Sequence, residues 1–315
     1  MQRQIVHGFR SGIWFALAGT YTDGAVAGIV WQNPCSTFAS RFRSNMTYTT
    51  QHSATVALVA AGLVTTPSLA QQDQAELAKK LSNPVAALIS VPLQLNYDQD
   101  IGPAEDGERW LLNVQPVIPM ELDKDWNIIS RTIMPVVYQD DIAPGTGSQF
   151  GIGDILQTVF FSPKAPTSSG WIWGAGPVFL LPTGSDDLLT ADQLGAGPTV
   201  LVLKQENGWT YGALANHIWS VAGDDDRGDV NATFLQPFLS YSTPTAWTYA
   251  LNTESTYDWE NEQWSVPINV TVSKVTRMGS QLVSIGGGLR YWADSPDNGP
   301  EGLGMRLSFT LLFPK

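Results

Sequence analysis

Few residues in this chain have the types and spacing that catalysis requires. The sequence contains one cysteine, Cys35, and three histidines, of which only His217 lies beyond residue 70. No serine follows His217 by two residues to act as a nucleophile, and no cluster of His and Cys residues could bind zinc. We therefore expect neither an enzyme nor a bound metal or cofactor.

Charged and amide side chains instead recur at alternate positions of apolar segments, so that they would share one face. Arginines on that face could pair with carboxylates and fill the interior of the fold, or they could form a charged constriction that selects solutes by charge. The sequence leaves both alternatives open. The candidates are Arg131, Asp154, Glu254, Arg290, Arg306, Glu121, Asn252 and Asn269, with Gln94, Asn96, Asn113, Gln115, Asn216 and Gln236 on the same face.

The elements that carry these residues have the pattern of β-strands from Ala87 onward. Apolar and polar residues alternate in segments of roughly ten residues, and Gly, Pro, Asp and Asn occupy the gaps between them. In one such segment Trp264 and Ile268 share one face, while Ser265 and Asn269 share the other. The predicted strands are 87–97, 110–121, 126–139, 151–162, 171–182, 195–205, 209–220, 231–242, 246–258, 263–274, 281–293 and 302–313.

The opposite face of these strands is apolar and carries aromatic residues near both ends. A tilted strand crosses an apolar band of about 25 Å in about ten residues, and interfacial aromatics are expected at both edges of that band. A soluble β-sandwich would instead bury its apolar face in a core. The sequence therefore predicts an all-β fold, a closed antiparallel transmembrane β-barrel of about twelve strands. The predicted aromatic belt consists of Trp126, Tyr138, Trp209, Trp219, Trp247, Tyr257 and Trp264.

Charge is distributed unevenly along the chain, whose net charge is −12. Most of the 29 acidic residues fall in or beside the predicted connections 98–109, 140–150, 183–194, 221–230, 259–262 and 294–301. Most of these connections are longer than those at the other strand ends, as is typical of the outer loops of membrane barrels. We interpret the acidic loops as a solvated rim or, alternatively, as clusters that bind divalent cations or repel anionic solutes. The acidic balance disfavours nucleic acid as a partner.

The N-terminal part of the sequence has the pattern of an export signal. We expect residues 1–45 to be an upstream extension and 46–70 a signal peptide, because an apolar run, ATVALVAAGLV, is followed by a small-residue cleavage site. A short buried helix is the alternative interpretation of that run. Residues 71–86 would lie in the periplasm or plug the barrel, with a short helix over 73–82, and 87–315 would form the barrel.

Glycine and proline motifs of the chain resemble those of outer-membrane proteins associated with the meta-pathway of phenol degradation. The resemblance covers 75–315. It implies a membrane barrel suspected of taking up aromatic or other hydrophobic compounds, and it implies no set of binding residues. The motifs are Leu81-Ser82-Asn83-Pro84, Gly151-Ile152-Gly153-Asp154-Ile155-Leu156-Gln157, Gly174-Ala175-Gly176-Pro177 with Leu181-Pro182-Thr183, and Gly195-Ala196-Gly197-Pro198-Thr199.

These observations together predict a channel or transporter in the outer membrane of a Gram-negative bacterium. Small solutes, aromatic or hydrophobic ones among them, would pass through it passively. The alternative is a closed barrel that acts as a structural or surface-interaction protein. The expected partners are outer-membrane lipid and lipopolysaccharide, a small-molecule solute and the outer-membrane assembly machinery.

Overall fold

The computed structural model describes residues 69–314 as one helix followed by β-strands. The predicted extension, 1–45, and nearly all of the predicted signal peptide, 46–70, lie outside the described residues and stay predictions. Within residues 69–314, no helix combines the length and the apolarity needed to cross a membrane.

The strands form one antiparallel sheet that closes on itself. The last strand pairs with the first, from Ile89 opposite Phe313 to Tyr97 opposite Met305. Around the barrel, the order of the strands follows their order in the chain. The elements are α1 Leu69–Leu81, β1 Ile89–Ile101, β2 Gly107–Val114, β3 Val117–Glu121, β4 Trp126–Asp140, β5 Gln149–Ile152, β6 Ile155–Pro163, β7 Trp171–Leu181, β8 Gln193–Glu206, β9 Trp209–Gly223, β10 Asn231–Ser242, β11 Trp247–Thr253, β12 Ser255–Asp258, β13 Gln263–Met278, β14 Gln281–Asp294 and β15 Glu301–Phe313.

Three of the barrel strands are interrupted, so that fifteen segments make twelve barrel strands. The interruptions separate β2 from β3 at Gln115-Pro116, β5 from β6 at Gly153-Asp154, and β11 from β12 at Glu254. Proline lacks the N–H that a central strand needs, and glycine weakens a strand, which accounts for the first two interruptions. The predicted closed twelve-stranded antiparallel barrel is confirmed, and the predicted strand 231–242 coincides with β10.

Side chains on alternate positions of a strand face opposite environments. In β15, Leu307 is 60% exposed on the outside, while its neighbour Arg306 is 4% exposed on the inside. Other exposed hydrophobic residues of the outer surface, such as Leu289 on β14 and Val270 on β13, lie on the same side of the sheet. An apolar exterior around a polar interior is the arrangement of a barrel in hydrocarbon.

Aromatic side chains surround both ends of this outer surface. At the end of the barrel that carries α1, which we call the helix end, Trp126 packs edge-on against Trp173 at 5.7 Å, and Lys274 lies over the Trp247 ring at 5.0 Å. At the opposite end, the loop end, the aromatic contacts join Tyr97 to Trp110, His217 to Trp219, and Tyr257 to both Trp259 and Trp264. Trp209 joins the first group through Tyr241, and Tyr138 lies in the second opposite Trp110.

The predicted N-terminal helix is confirmed and packs against the helix end. Leu77 and Ala78 of α1 are buried against Ala246, Val275 and Leu312 of the barrel. The last turn carries two lysines, whose charge suits the negative end of the helix dipole. The Ser82 hydroxyl donates a 3.1 Å hydrogen bond to the carbonyl of Ala78, and the helix ends before Asn83-Pro84, as predicted.

Most connections at the loop end are shorter than expected, and the largest difference is between β1 and β2. The prediction made 98–109 a long loop, but β1 and β2 stay paired up to Ile101 opposite Gly107, which leaves 102–106 as the turn. Pairing extends because Asp98 lies opposite Arg109, so that charged residues continue the ladder beyond the apolar band. The longest loop-end connection is 182–192, and the helix-end turns are 122–125, 164–170, 207–208, 243–246 and 279–280.

The outer surface predicts how substitutions will affect stability. Replacing Leu307 with Arg places a charge in the middle of the apolar band and should lower the free energy of unfolding by about 2–4 kcal/mol, whereas the same change at Leu122 in a helix-end turn should cost about 0–1 kcal/mol. Urea unfolding in lipid vesicles measures both. Equal losses for the two variants would contradict a lipid-facing position for Leu307.

Candidate functional site

The interior of the barrel contains a buried ion cluster near the loop end. Asp98 is fully buried, and its carboxylate lies 3.4 Å from Arg290 Nε and 3.6 Å from Arg109 Nη2, while Trp292 Nε1 donates a 2.9 Å hydrogen bond to it. Arg290 of β14 lies opposite Gly304 of β15, and β15 is the strand between β14 and β1. A Cβ at Gly304 would come within 3.1 Å of Asp98 Oδ1, so this glycine leaves room for the two side chains to meet.

A second cluster lies further along the same strands. Arg306 donates two hydrogen bonds to the carboxylate of Glu254, at 2.9 and 2.7 Å, and its Nε donates a 2.7 Å bond to Asn96 Oδ1. Bidentate pairs of this kind are among the strongest polar contacts in proteins. Asn269 donates a 2.8 Å bond to Asn252 beside them. The structure thus brings together Glu254, Arg306, Asn252 and Asn269.

Arg131 lies near the second cluster but forms no ion pair with it. Its Nη2 donates a 3.0 Å hydrogen bond to Gln115 Oε1, and no carboxylate of residues 69–314 lies within 4.0 Å of its guanidinium. Among residues 69–314, four arginines, Arg109, Arg131, Arg290 and Arg306, thus lie around the carboxylates of Asp98 and Glu254. These six side chains together carry a net positive charge, although the whole chain is acidic.

A cavity of about 290 Å³ lies beside Arg131 in the middle of the barrel. Both polar and apolar residues line it. The polar residues are Gln94, Asn113, Gln115, Arg131, Thr158, Asn216, Gln236, Glu254 and Thr256, and the apolar residues are Ile133, Leu156, Leu214, Ile218, Ala232 and Phe234.

Part of the interior toward the helix end is apolar, in addition to the polar residues expected on the inner face. Val85, just after α1, packs with Ile129, Phe160, Leu201 and other buried residues of the wall. A second cavity, of about 250 Å³, lies between this segment and the barrel wall. Arg131, Gln115 and Gln236 line both cavities. The two cavities therefore adjoin at these residues.

Two predicted interior residues have other partners. Asp154 accepts hydrogen bonds from the backbone N–H groups of Thr183, Gly184 and Ala191 and from the Thr190 hydroxyl, at 2.7 to 3.1 Å. It therefore fixes the longest loop-end connection. Asp154 has the parity of an interior residue, and the break in its strand brings its carboxylate to that connection.

Glu121 lies at the helix end and is not part of the cavity wall. Its side chain is 78% exposed and forms a 2.9 Å ion pair with Lys164. The acidic loop residues do not converge on a metal site. Residues 69–314 contain no group of three or more His, Cys, Asp or Glu side chains arranged to hold an ion. Arg227 instead ties two acidic loops together through the carbonyls of Asp187 and Thr190.

The fold and its interior define a β-barrel of the outer-membrane type, and comparison with solved structures agrees. An outer membrane channel from Pseudomonas putida F1 matches with a TM-score of 0.58 and 14% sequence identity over 72% of this chain and 96% of that one. The NanC porin matches with a TM-score of 0.46 at 9% identity, over 72% of this chain and 100% of its own. The KdgM porin, solved in complex with disordered oligogalacturonate, matches with a TM-score of 0.41 at 10% identity, over 71% and 99%.

Sequence comparison adds no family to this structural likeness. No protein-family model matches the chain, and no curated protein sequence matches it. At 14% identity, the similarity to the Pseudomonas putida channel establishes a shared barrel fold.

The contacts of Asp154 predict a local effect of its removal. Asp154→Ala leaves three backbone N–H groups without their acceptor and should accelerate amide hydrogen exchange in 182–192 by about tenfold or more. The matched control is Asp123→Ala, which removes a carboxylate that accepts from the N–H groups of Asp125 and Trp126 at the helix end. Mass spectrometry measures exchange in both variants, and unchanged exchange in 182–192 for Asp154→Ala would contradict the assigned role.

Proposed function

We propose that this barrel resides in the outer membrane of a Gram-negative bacterium and is a passive channel for small solutes. The observation that carries the proposal is the central cavity beside Arg131, inside a barrel whose outer surface is apolar. A cavity in a membrane barrel that is lined by both polar and apolar residues suits solutes with a polar group on an apolar body. The chain would do no chemistry on them.

The proposed orientation places the helix end in the periplasm and the loop end outside the cell. Both ends of the described chain lie at the helix end, as expected for an even number of strands with short periplasmic turns. The acidic loops would then face the lipopolysaccharide, and the apolar outer surface would contact lipid acyl chains. Insertion would depend on the outer-membrane assembly machinery.

Aromatic compounds are the solutes that we propose first. The motifs that resemble proteins associated with phenol degradation point to them, and the apolar lining of the cavity supplies a surface for a ring in Phe234. Offset or edge-to-face contacts between rings are favourable in such surroundings.

A closed barrel is the second candidate, and one observation favours it. Leu77, Ala78 and Val85 pack against residues of the barrel at the helix end, and such packing would close that end. A conducting state would then need α1 and the segment after it to shift, whereas a structural or surface-interaction protein would keep them in place.

The position of α1 predicts how conductance should respond to substitution. Leu77→Asp introduces a charge into a buried apolar contact, so it should displace α1 and raise single-channel conductance in planar bilayers severalfold. The control is Gln72→Asp, which adds the same charge at an exposed position of the same helix and should leave conductance unchanged. If all three folded proteins, including the wild type, carry no current, the barrel is closed and the channel proposal is wrong.

A further inference from the structure

We infer that the cavity around Arg131 is a binding site for small organic monoanions, with the carboxylate of the solute on Arg131 and its apolar body against Phe234. A single-ring aromatic carboxylate is the class of ligand that fits best. The inference rests on the proposed channel function and names the solutes that the channel selects.

The first step of the argument is the pairing of charges in the interior. Asp98 lies between Arg109 and Arg290, and Glu254 is held by both terminal nitrogens of Arg306. Within the described part of the chain, Arg131 is the interior arginine left without a carboxylate partner. A guanidinium offers five N–H donors in a planar fork that matches a carboxylate, and one nitrogen of Arg131 is engaged with Gln115.

The second step concerns the uncharged polar groups around the same cavity. Gln94, Asn113, Asn216 and Gln236 line it, and their side-chain amides make no hydrogen bond to other residues of the range 69–314. Amides can both donate and accept, so they provide the polar contacts that a carboxylate or a ring hydroxyl needs after leaving water. Asn96 and Asn252, by contrast, accept hydrogen bonds from Arg306 and Asn269.

The third step is the apolar lining, which sets the size and shape of the solute. Ile133, Leu156, Leu214, Ile218 and Phe234 line the cavity together with the polar groups. The volume of about 290 Å³ lies at the small end of the range of ligand pockets, about 300–1,000 Å³. One ring with one short substituent fits such a space, and larger solutes would have to displace wall residues.

The sign of the charge follows from Glu254. This carboxylate also lines the cavity, but Arg306 neutralises it through two hydrogen bonds. Arg131 therefore contributes one net positive charge beside the cavity, because the charges of Arg306 and Glu254 cancel. An ammonium group would meet the uncompensated charge of Arg131 and would be repelled.

The test measures binding of benzoate to the purified barrel by isothermal titration calorimetry at pH 7. Benzamide serves as a neutral probe of the same shape, and benzylamine as a cationic one. The variants are Arg131→Gln, which removes the charge, Arg131→Lys, which keeps it, and Arg277→Gln, which removes a charge from an exposed residue at the helix end. Heat-dependent migration in gels verifies that each variant is folded.

The expected result is that the wild type and Arg277→Gln bind benzoate more tightly than benzamide, and bind no benzylamine. Arg131→Gln should bind benzoate about tenfold to a hundredfold more weakly and lose the preference over benzamide, while Arg131→Lys retains part of it. Benzoate binding that is equal in the wild type and Arg131→Gln, or no stronger than benzamide binding in the wild type, would overturn the assignment.

Calorimetry needs no open pore, so the site and the channel can fail separately. A wild type that binds benzoate but carries no current supports the site and overturns the channel. A wild type that conducts ions but shows no preference for benzoate supports the channel and overturns the site.

Discussion

The structure depends on the need of every backbone N–H and C=O group in an apolar layer to find a partner within the protein. Hydrocarbon offers no hydrogen bonds, so a sheet can cross it only if the sheet closes and has no free edge. Pairing of β15 with β1 meets this need. Closure in turn assigns each strand residue to the outside or the inside, which is why Leu307 and Arg306 can be neighbours in sequence and lie in opposite environments.

The interior divides into two parts that differ in chemistry. Ion clusters and free amides occupy the loop-end and central parts, whereas apolar side chains and the segment after α1 occupy the helix end. Arg131 lies where the two parts meet, because it lines both cavities. A solute that enters from the loop end would therefore pass the acidic loops, then the interior arginines, and then the apolar residues around Val85.

Much of this architecture could be predicted from the sequence, because alternation at period two reports directly on which side chains share a face. The strand positions, the closed barrel and the short helix follow from that pattern and from Asn83-Pro84. Pairing within the interior does not follow from it. Arg306 and Glu254 lie on strands that are not neighbours, and their contact depends on the stagger of the strands and on the break at Glu254.

The apolar helix end and the loop role of Asp154 were missed for a related reason. In the predicted strand 195–205 both faces carry apolar residues. Leu201 and Leu203 therefore indicate an apolar inner face, but the sequence pattern does not predict that Val85 packs against them. Asp154 has the parity of an interior residue, and its partners come from residues 183 to 191, whose path no local pattern specifies.

The central claim is that one face of each strand meets hydrocarbon and the other a polar interior. The direct measurement is electron paramagnetic resonance of a nitroxide placed by cysteine substitution at Leu307 or at Ser308, the next residue of β15, in lipid vesicles. We expect molecular oxygen to relax the label at position 307 strongly and a water-soluble nickel complex to relax it little, with the reverse balance at 308. Strong relaxation by the nickel complex at 307 would contradict the account.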